Sequence, residues 1–88
     1  MASYRIEFKR SAEHDLRKIS PALIAAILAR IEALADDPFP RQSRKLVGAK
    51  RTRRLRVAVY RVVYEVDPDA RTITVHYIRH RREAYRRP

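Results

Sequence analysis

The stretch RTRRLRVAVYRVVYEVDPDARTITVHYI, residues 51–78, decides the fold. Leu55 and Val57 alternate with Arg54 and Arg56, and after Tyr60 the alternation resumes with Val62, Tyr64 and Val66 against Arg61, Val63 and Glu65. A period of two is that of a strand with one face buried. Asp67 to Ala70 have turn chemistry and TITVHYI, residues 72–78, reads as a further strand, so a hairpin joined at 67–70 is expected. Residues 54–66 read either as one long strand or as two joined at Ala58-Val59. Tight hairpins prefer glycine or asparagine at positive φ, and neither is present there. The stretch also poses a question of charge, because residues 51–66 hold five arginines and only one acid, Glu65.

Upstream, Tyr4, Ile6 and Phe8 alternate with Arg5 and Glu7, the pattern of a half-buried strand. Ser11 can cap a short helix, SAEHDLRKI, with Ala12, Leu16 and Ile19 at helical spacing. A stronger start follows, with Ser20 as N-cap and Pro21 at the first helical position, where a missing N–H costs nothing. Leu23, Ile24, Ile27, Leu28, Ile31, Leu34 and Ala35 then trace one apolar stripe, which stops at DDPFP because the residue before a proline is pushed out of the α region. RQSRKLVGAKRTRR, residues 41–54, is a basic connection without a convincing period and contains the only glycine, Gly48. The order is strand, two helices, then two or three strands. That predicts an α+β domain, β-α-α-β-β-β, with two N-terminal helices packed on one face of an antiparallel sheet and the opposite face left to the arginines.

At 88 residues the chain reads as a single domain, 1–88, at the small end of what buries its own core. With no cysteine it has neither disulfides nor thiolate metal sites. MASYRIEFKR lacks an apolar run of signal-peptide or membrane-spanning length, so a cytoplasmic protein without membrane contact is expected. The net charge of +11 is unevenly spread: residues 1–40 carry six basic and six acidic side chains, residues 41–88 fifteen and four. A general preference for arginine would have reached the first half too. Charge confined to one half of a small fold implies a basic face for a polyanion, nucleic acid first among them.

Arg54, Arg56 and Arg61 share a face if their strands pair, and IRHRREAYRRP brings Arg79, His80, Arg81, Arg82 and Tyr85 to the sheet end. Guanidiniums on a rigid sheet suit bidentate phosphate recognition, and an interleaved tyrosine offers a ring for an unpaired base. Lys45 and Lys50 in the basic connection join this phosphate-binding set. Tyr60, Tyr64 and Tyr77 read as strand and core aromatics, and His14 and His76 as structural. His80, flanked by Arg79 and Arg81, is expected to be pushed toward the neutral form that a general base needs. No metal-ligand spacing, phosphate-binding glycine loop or nucleophilic triad is visible, and no cofactor is implied.

In order along the chain, YRIEF, DDPFP, KLVG, RLRV, YRVVYEVD and RHRREAYR resemble the RelE/ParE superfamily of bacterial toxins from type II toxin-antitoxin systems, and within it the RelE branch. The resemblance implies a microbial-ribonuclease-like fold and a metal-independent endoribonuclease that cuts messenger RNA, usually on the ribosome. It also implies silencing by a cognate antitoxin protein, with operator DNA met only indirectly through the antitoxin complex. By position it gives Arg54 and Arg56 on the first central strand, Arg61 of the following YR pair, Arg81 of the C-terminal motif and the terminal Tyr85. The implied chemistry is attack of a ribose 2′-hydroxyl on the adjacent phosphate, which needs a base, cationic stabilisation of the phosphorane and an acid for the leaving 5′-oxygen. Arg54 and Arg56 stand where well-studied RelE-like toxins have lysines, and arginine is effectively never deprotonated. His80 or Tyr85 is then the base, with Arg61 and Arg81 clamping the phosphate. Ala58-Val59 departs from the Gly-Asp that many relatives show in the turn. The alternatives are a ParE-type inhibitor of DNA gyrase with the same fold and a non-catalytic RNA- or DNA-binding module.

Overall fold

The computed structural model describes residues 3–46, 48 and 50–81. The elements are β1 (Arg5–Phe8), α1 (Arg10–Leu16), α2 (Pro21–Ala33), β2 (Ser43–Lys45), β3 (Thr52–Val57), β4 (Tyr60–Asp67) and β5 (Thr72–His80). They build one five-stranded sheet in the order β1-β5-β4-β3-β2. The pairs β5–β4, β4–β3 and β3–β2 are antiparallel. β1 departs from the expected antiparallel pattern and runs parallel to β5, with Arg5 opposite Thr72 and Phe8 opposite Val75, so the sheet is mixed.

Residues 54–66 are two strands. The turn at Ala58-Val59 forms without glycine because Ala58 itself takes a positive φ of 55°, which matches a two-residue turn that needs the left-handed region at its first central position only. At the next corner Asp67 Oδ1 accepts the N–H groups of Asp69 and Ala70, each at 3.1 Å, the Asx-turn that its side chain promises. Between these corners the register of β4 and β5 slips. Val63 faces Tyr77, but Tyr64 faces Val75, leaving His76 as an extra residue on β5. The bulge changes the inward phase of β5 from Ile73 and Val75 to Ile78.

Ala12, Ile19, Ile27, Ile31 and Leu34 from the helical half pack against Leu55, Val57, Val62, Tyr64, Val66, Ile73, Val75 and Ile78 of the sheet. Full burial of each large aliphatic side chain contributes about 1.5–3 kcal/mol, so this single layer between helices and sheet dominates the stability of the domain. Ser20 and Pro21 begin α2 as their chemistry implies, although no side-chain bond forms at the cap. The N-cap of α1 is Lys9, two residues before the expected Ser11, which lies inside the helix with its hydroxyl donating to the carbonyl of His76. The segment after α2 is tied down by Tyr64, whose hydroxyl donates to Pro38 O at 2.9 Å. Burial pushes this phenol above its ordinary value of 10.0, against smaller lowering effects of the Ser43 hydroxyl and the Arg53 guanidinium. Among the described residues no helix is long and apolar enough to cross a membrane.

Candidate nucleic-acid interface

The face of the sheet turned away from the helices is organised by register into rows. One row runs Arg56, Arg61, Arg79 across β3, β4 and β5. The next runs Arg44, Arg54, Val63, Tyr77 from β2 to β5. The third is Thr52, Glu65, Thr74 and Glu7, the last on β1, so the face grades from cationic at the Ala58 turn to acidic at its other end. Side chains directly opposite each other in such rows have Cβ atoms roughly 5 Å apart, close enough for one phosphate to bridge two guanidiniums.

Gln42, Arg44, Arg54, Arg56, Ala58 and Arg61 line an open groove of about 470 Å³ at the cationic end. Arg44, Arg54 and Arg56 have no hydrogen-bond, ion-pair or ring partner among the described residues. Clustered like charges without a carboxylate among them repel one another, and a bound polyanion relieves that repulsion. Arg79 extends the row toward α1. Its Nε lies 3.4 Å from Asp15 Oδ2 and its guanidinium carbon 4.7 Å from the centre of the Tyr77 ring. At the acidic end His76 Nε2 is 3.1 Å from Glu65 Oε1.

The residues singled out in the sequence therefore divide. Arg54, Arg56, Arg61 and Arg79 share the outer face. Arg81 follows β5, exposed, with its backbone N–H donating to Val59 O at 2.7 Å, which ties the end of β5 to the Ala58 turn. His80 is not brought to the arginines. It pairs with Tyr60 across β4 and β5, its ring edge-on to the tyrosine at 5.4 Å, on the side of the sheet that carries the core. The reason is the pleat: residues next to each other on a strand face opposite ways, so flanking arginines place a histidine away from their own face. Tyr85 and Arg82 lie outside the described residues. Tyr64 is fully buried and Tyr60 packs on the core as expected, whereas Tyr77 is on the outer face beneath Arg79.

Lys45 and Lys50 also leave the expected set. Lys45 pairs with Arg53, whose side chain faces opposite to Arg54, and with Lys50, Arg51, Phe39, Val66 and Pro68 they line a separate cleft of about 270 Å³. Arg53 donates from Nε to Ser43 Oγ at 3.0 Å and lies over the Phe39 ring at 5.2 Å. Arg51 reaches Asp67 at 3.4 Å and Asp69 at 4.0 Å. Arg44 was missed because β2 has three residues, too few for alternation to show, and Gln42 because it lies in the turn just before that strand. Asp15 was missed because its partners lie 63 and 64 positions away.

The sequence profile of the family described as ParE toxin of type II toxin-antitoxin system, parDE, matches residues 6–85. The chain is 30% identical over 91 residues to Toxin RelG of Mycobacterium tuberculosis, with 96% of this chain and 98% of that protein covered. Its fold is similar to that in the archaeal RelE-RelB complex from Pyrococcus horikoshii, with a TM-score of 0.81, 25% identity and coverage of 90% of this chain and 96% of that chain. It is similar also to the toxin-antitoxin complex RelBE2 from Mycobacterium tuberculosis, with a TM-score of 0.80, 27% identity and coverage of 91% and 93%.

Proposed function

Because the chain belongs to the RelE/ParE superfamily of toxins from type II toxin-antitoxin systems, we propose that it is an endoribonuclease that cuts messenger RNA on its arginine face, with the ribosome presenting the message. The observation that carries this reading is the cross-strand row Arg56, Arg61, Arg79 beside a groove whose Arg44, Arg54 and Arg56 have no partner among the described residues. In-line attack of a 2′-hydroxyl on the adjacent phosphate builds negative charge on a phosphorane. Guanidiniums fixed on a sheet stabilise that charge without reorganising. In this reading Arg61 and Arg79, opposite each other across the strand pair, clamp the phosphate in place of the expected Arg61 and Arg81, and Arg54 and Arg56 hold the flanking backbone, with Arg81 at the end of β5. Arginine does not give up its proton at working pH, so the base must be another group. With His80 on the other face, that role falls in this reading to Tyr85, which the sequence sets among Arg81, Arg82, Arg86 and Arg87.

The partner is a cognate antitoxin. The similar structures just described are toxin-antitoxin complexes, and the groove's charge suits an acidic or amphipathic segment laid across it. Hydrogen exchange of the complex tests this: protection across Arg54 to Arg61 is expected, and a groove left at free-protein exchange would mean that inhibition works from elsewhere.

Expression in bacteria of the wild type beside Arg61→Ala and Tyr85→Phe, with growth and mRNA 5′ ends followed together, tests the nuclease. Growth arrest with new cuts inside translated messages, lost in both variants, is expected. A second reading, poisoning of DNA gyrase, is favoured by the description of the matching family as ParE toxin. It predicts arrest without mRNA cuts, insensitive to Tyr85→Phe.

A further inference from the structure

β1 ends at Phe8, opposite Val75, so among the described residues the remainder of β5 has no strand on that side. α1 takes the place of one. The Ser11 hydroxyl donates to His76 O, and Asp15 Oδ2 accepts the N–H of Ile78 at 2.9 Å. Four helical residues advance about 6 Å and two strand residues about 6.8 Å. Side chains four apart on α1 therefore meet backbone groups two apart on β5.

The same Asp15 oxygen is 3.4 Å from Arg79 Nε. The Asp15 side chain is only 12% exposed, and that of Arg79 32%. With Nε committed to the carboxylate and the Tyr77 ring against its face at 4.7 Å, the guanidinium is held from two directions, and its two terminal nitrogens have no other partner among the described residues. An arginine fixed through Nε presents those nitrogens as a fork, the geometry that grips two phosphate oxygens. From this we infer that Asp15 is a positioning residue: it orders Arg79 so that the arginine meets the phosphate held by Arg61 across the strand pair. The inference deepens the phosphate-binding role proposed for this face and rests on that reading. It assigns the α1 edge a part in function, where a purely structural role would end at the bond to Ile78.

Asp15→Asn separates the two roles, because its amide oxygen still accepts from Ile78 while the negative charge facing Arg79 is lost. Three proteins, Asp15→Asn, Arg79→Ala and the double variant, are compared with the wild type in mRNA cleavage on translating ribosomes and in affinity for a single-stranded all-2′-deoxy oligonucleotide of mixed sequence. Thermal unfolding is followed in parallel. Asp15→Asn is expected to melt with the wild type and to cleave about tenfold more slowly, with little further loss when Arg79 is already alanine, the non-additivity of groups acting through one another. The Arg79 Nε–H resonance should move in the single variant. Wild-type cleavage by Asp15→Asn, or an equal loss in the presence and absence of Arg79, would overturn the inference. Should the wild type cut no message, the nuclease reading fails separately and the oligonucleotide decides: an affinity loss that depends on Arg79 supports positioning, and unchanged affinity rejects it.

Discussion

Arg53 and Arg54 are consecutive residues of β3 with opposite fates. Arg53 faces the helix side, bonded to Ser43 and stacked over Phe39 in the loop that follows α2, while Arg51 nearby reaches Asp67 and Asp69 at the corner between β4 and β5. Arg54 faces the groove and has no partner among the described residues. One strand thus carries two populations of the same residue type, sorted by the pleat: one satisfied within the fold, the other turned to the open groove. Charge at consecutive positions says little until the face is known.

That division can be broken most directly at the groove. The double variant Arg54→Ala with Arg56→Ala should lose about 10²-fold or more of mRNA cleavage, the scale of removing fixed groups that stabilise transition-state charge. The slope of log affinity for single-stranded nucleic acid against log salt should shrink by about 1.4 if both arginines contact phosphate. The urea midpoint should shift by no more than about 0.5 kcal/mol in stability. A fall in stability matching the fall in activity would erase the distinction between the two faces.

The converse change is Arg53→Ala. It removes the bond to Ser43 and the contact with Phe39, at a cost of about 1–2 kcal/mol in urea unfolding, and leaves cleavage at the wild-type rate. Tyr64→Phe sharpens the picture of the same corner, where loss of the bond to Pro38 O should cost about 1 kcal/mol at neutral pH. The phenol's folded pKa lies above its unfolded value of 10.0, so the protonated form is favoured by the fold. Its stabilisation is complete below pH 10 and is lost as the pH rises through the folded value. Urea midpoints of wild type and Tyr64→Phe should therefore approach each other above pH 10. The smallest effect is expected at the turn, where Ala58→Gly relieves a positive φ and should raise stability by up to about 1 kcal/mol, partly offset by greater freedom of the unfolded chain.

Most elements were legible where a period or a punctuating residue had room to act. Alternation marked β1, the Ser20-Pro21 pair began α2, and Asp67 closed its own turn. The division of residues 54–66 was not legible, because the turn uses a strained alanine in place of glycine. β2 was invisible at three residues, and it decides which face Arg44 and Lys45 take. Alternation assigns faces within a strand: it sets Arg54 and Arg56 on the outer face and, by the same rule, turns His80 to the face opposite Arg79, although the two are neighbours in sequence. The bulge opposite Val63-Tyr64 then shifts the phase once more, a change that no local pattern announces. Asp15 stands out only once β5 is laid beside it.

The parallel pairing of β1 with β5 also governs when the domain can exist at all. Translation delivers residues at about 5–20 per second, and β5 emerges after every other strand of the sheet. Until it does, β1 has no neighbour, the β3–β4 hairpin lacks its inner partner, and α1 has no edge to cover. The contacts that complete the sheet are among the most distant in sequence and so are slow to close. A message that breaks or stalls before Thr72 yields a peptide with an unfinished sheet and without Arg79. The fold is in this sense completed only by β5, the strand that also carries Arg79.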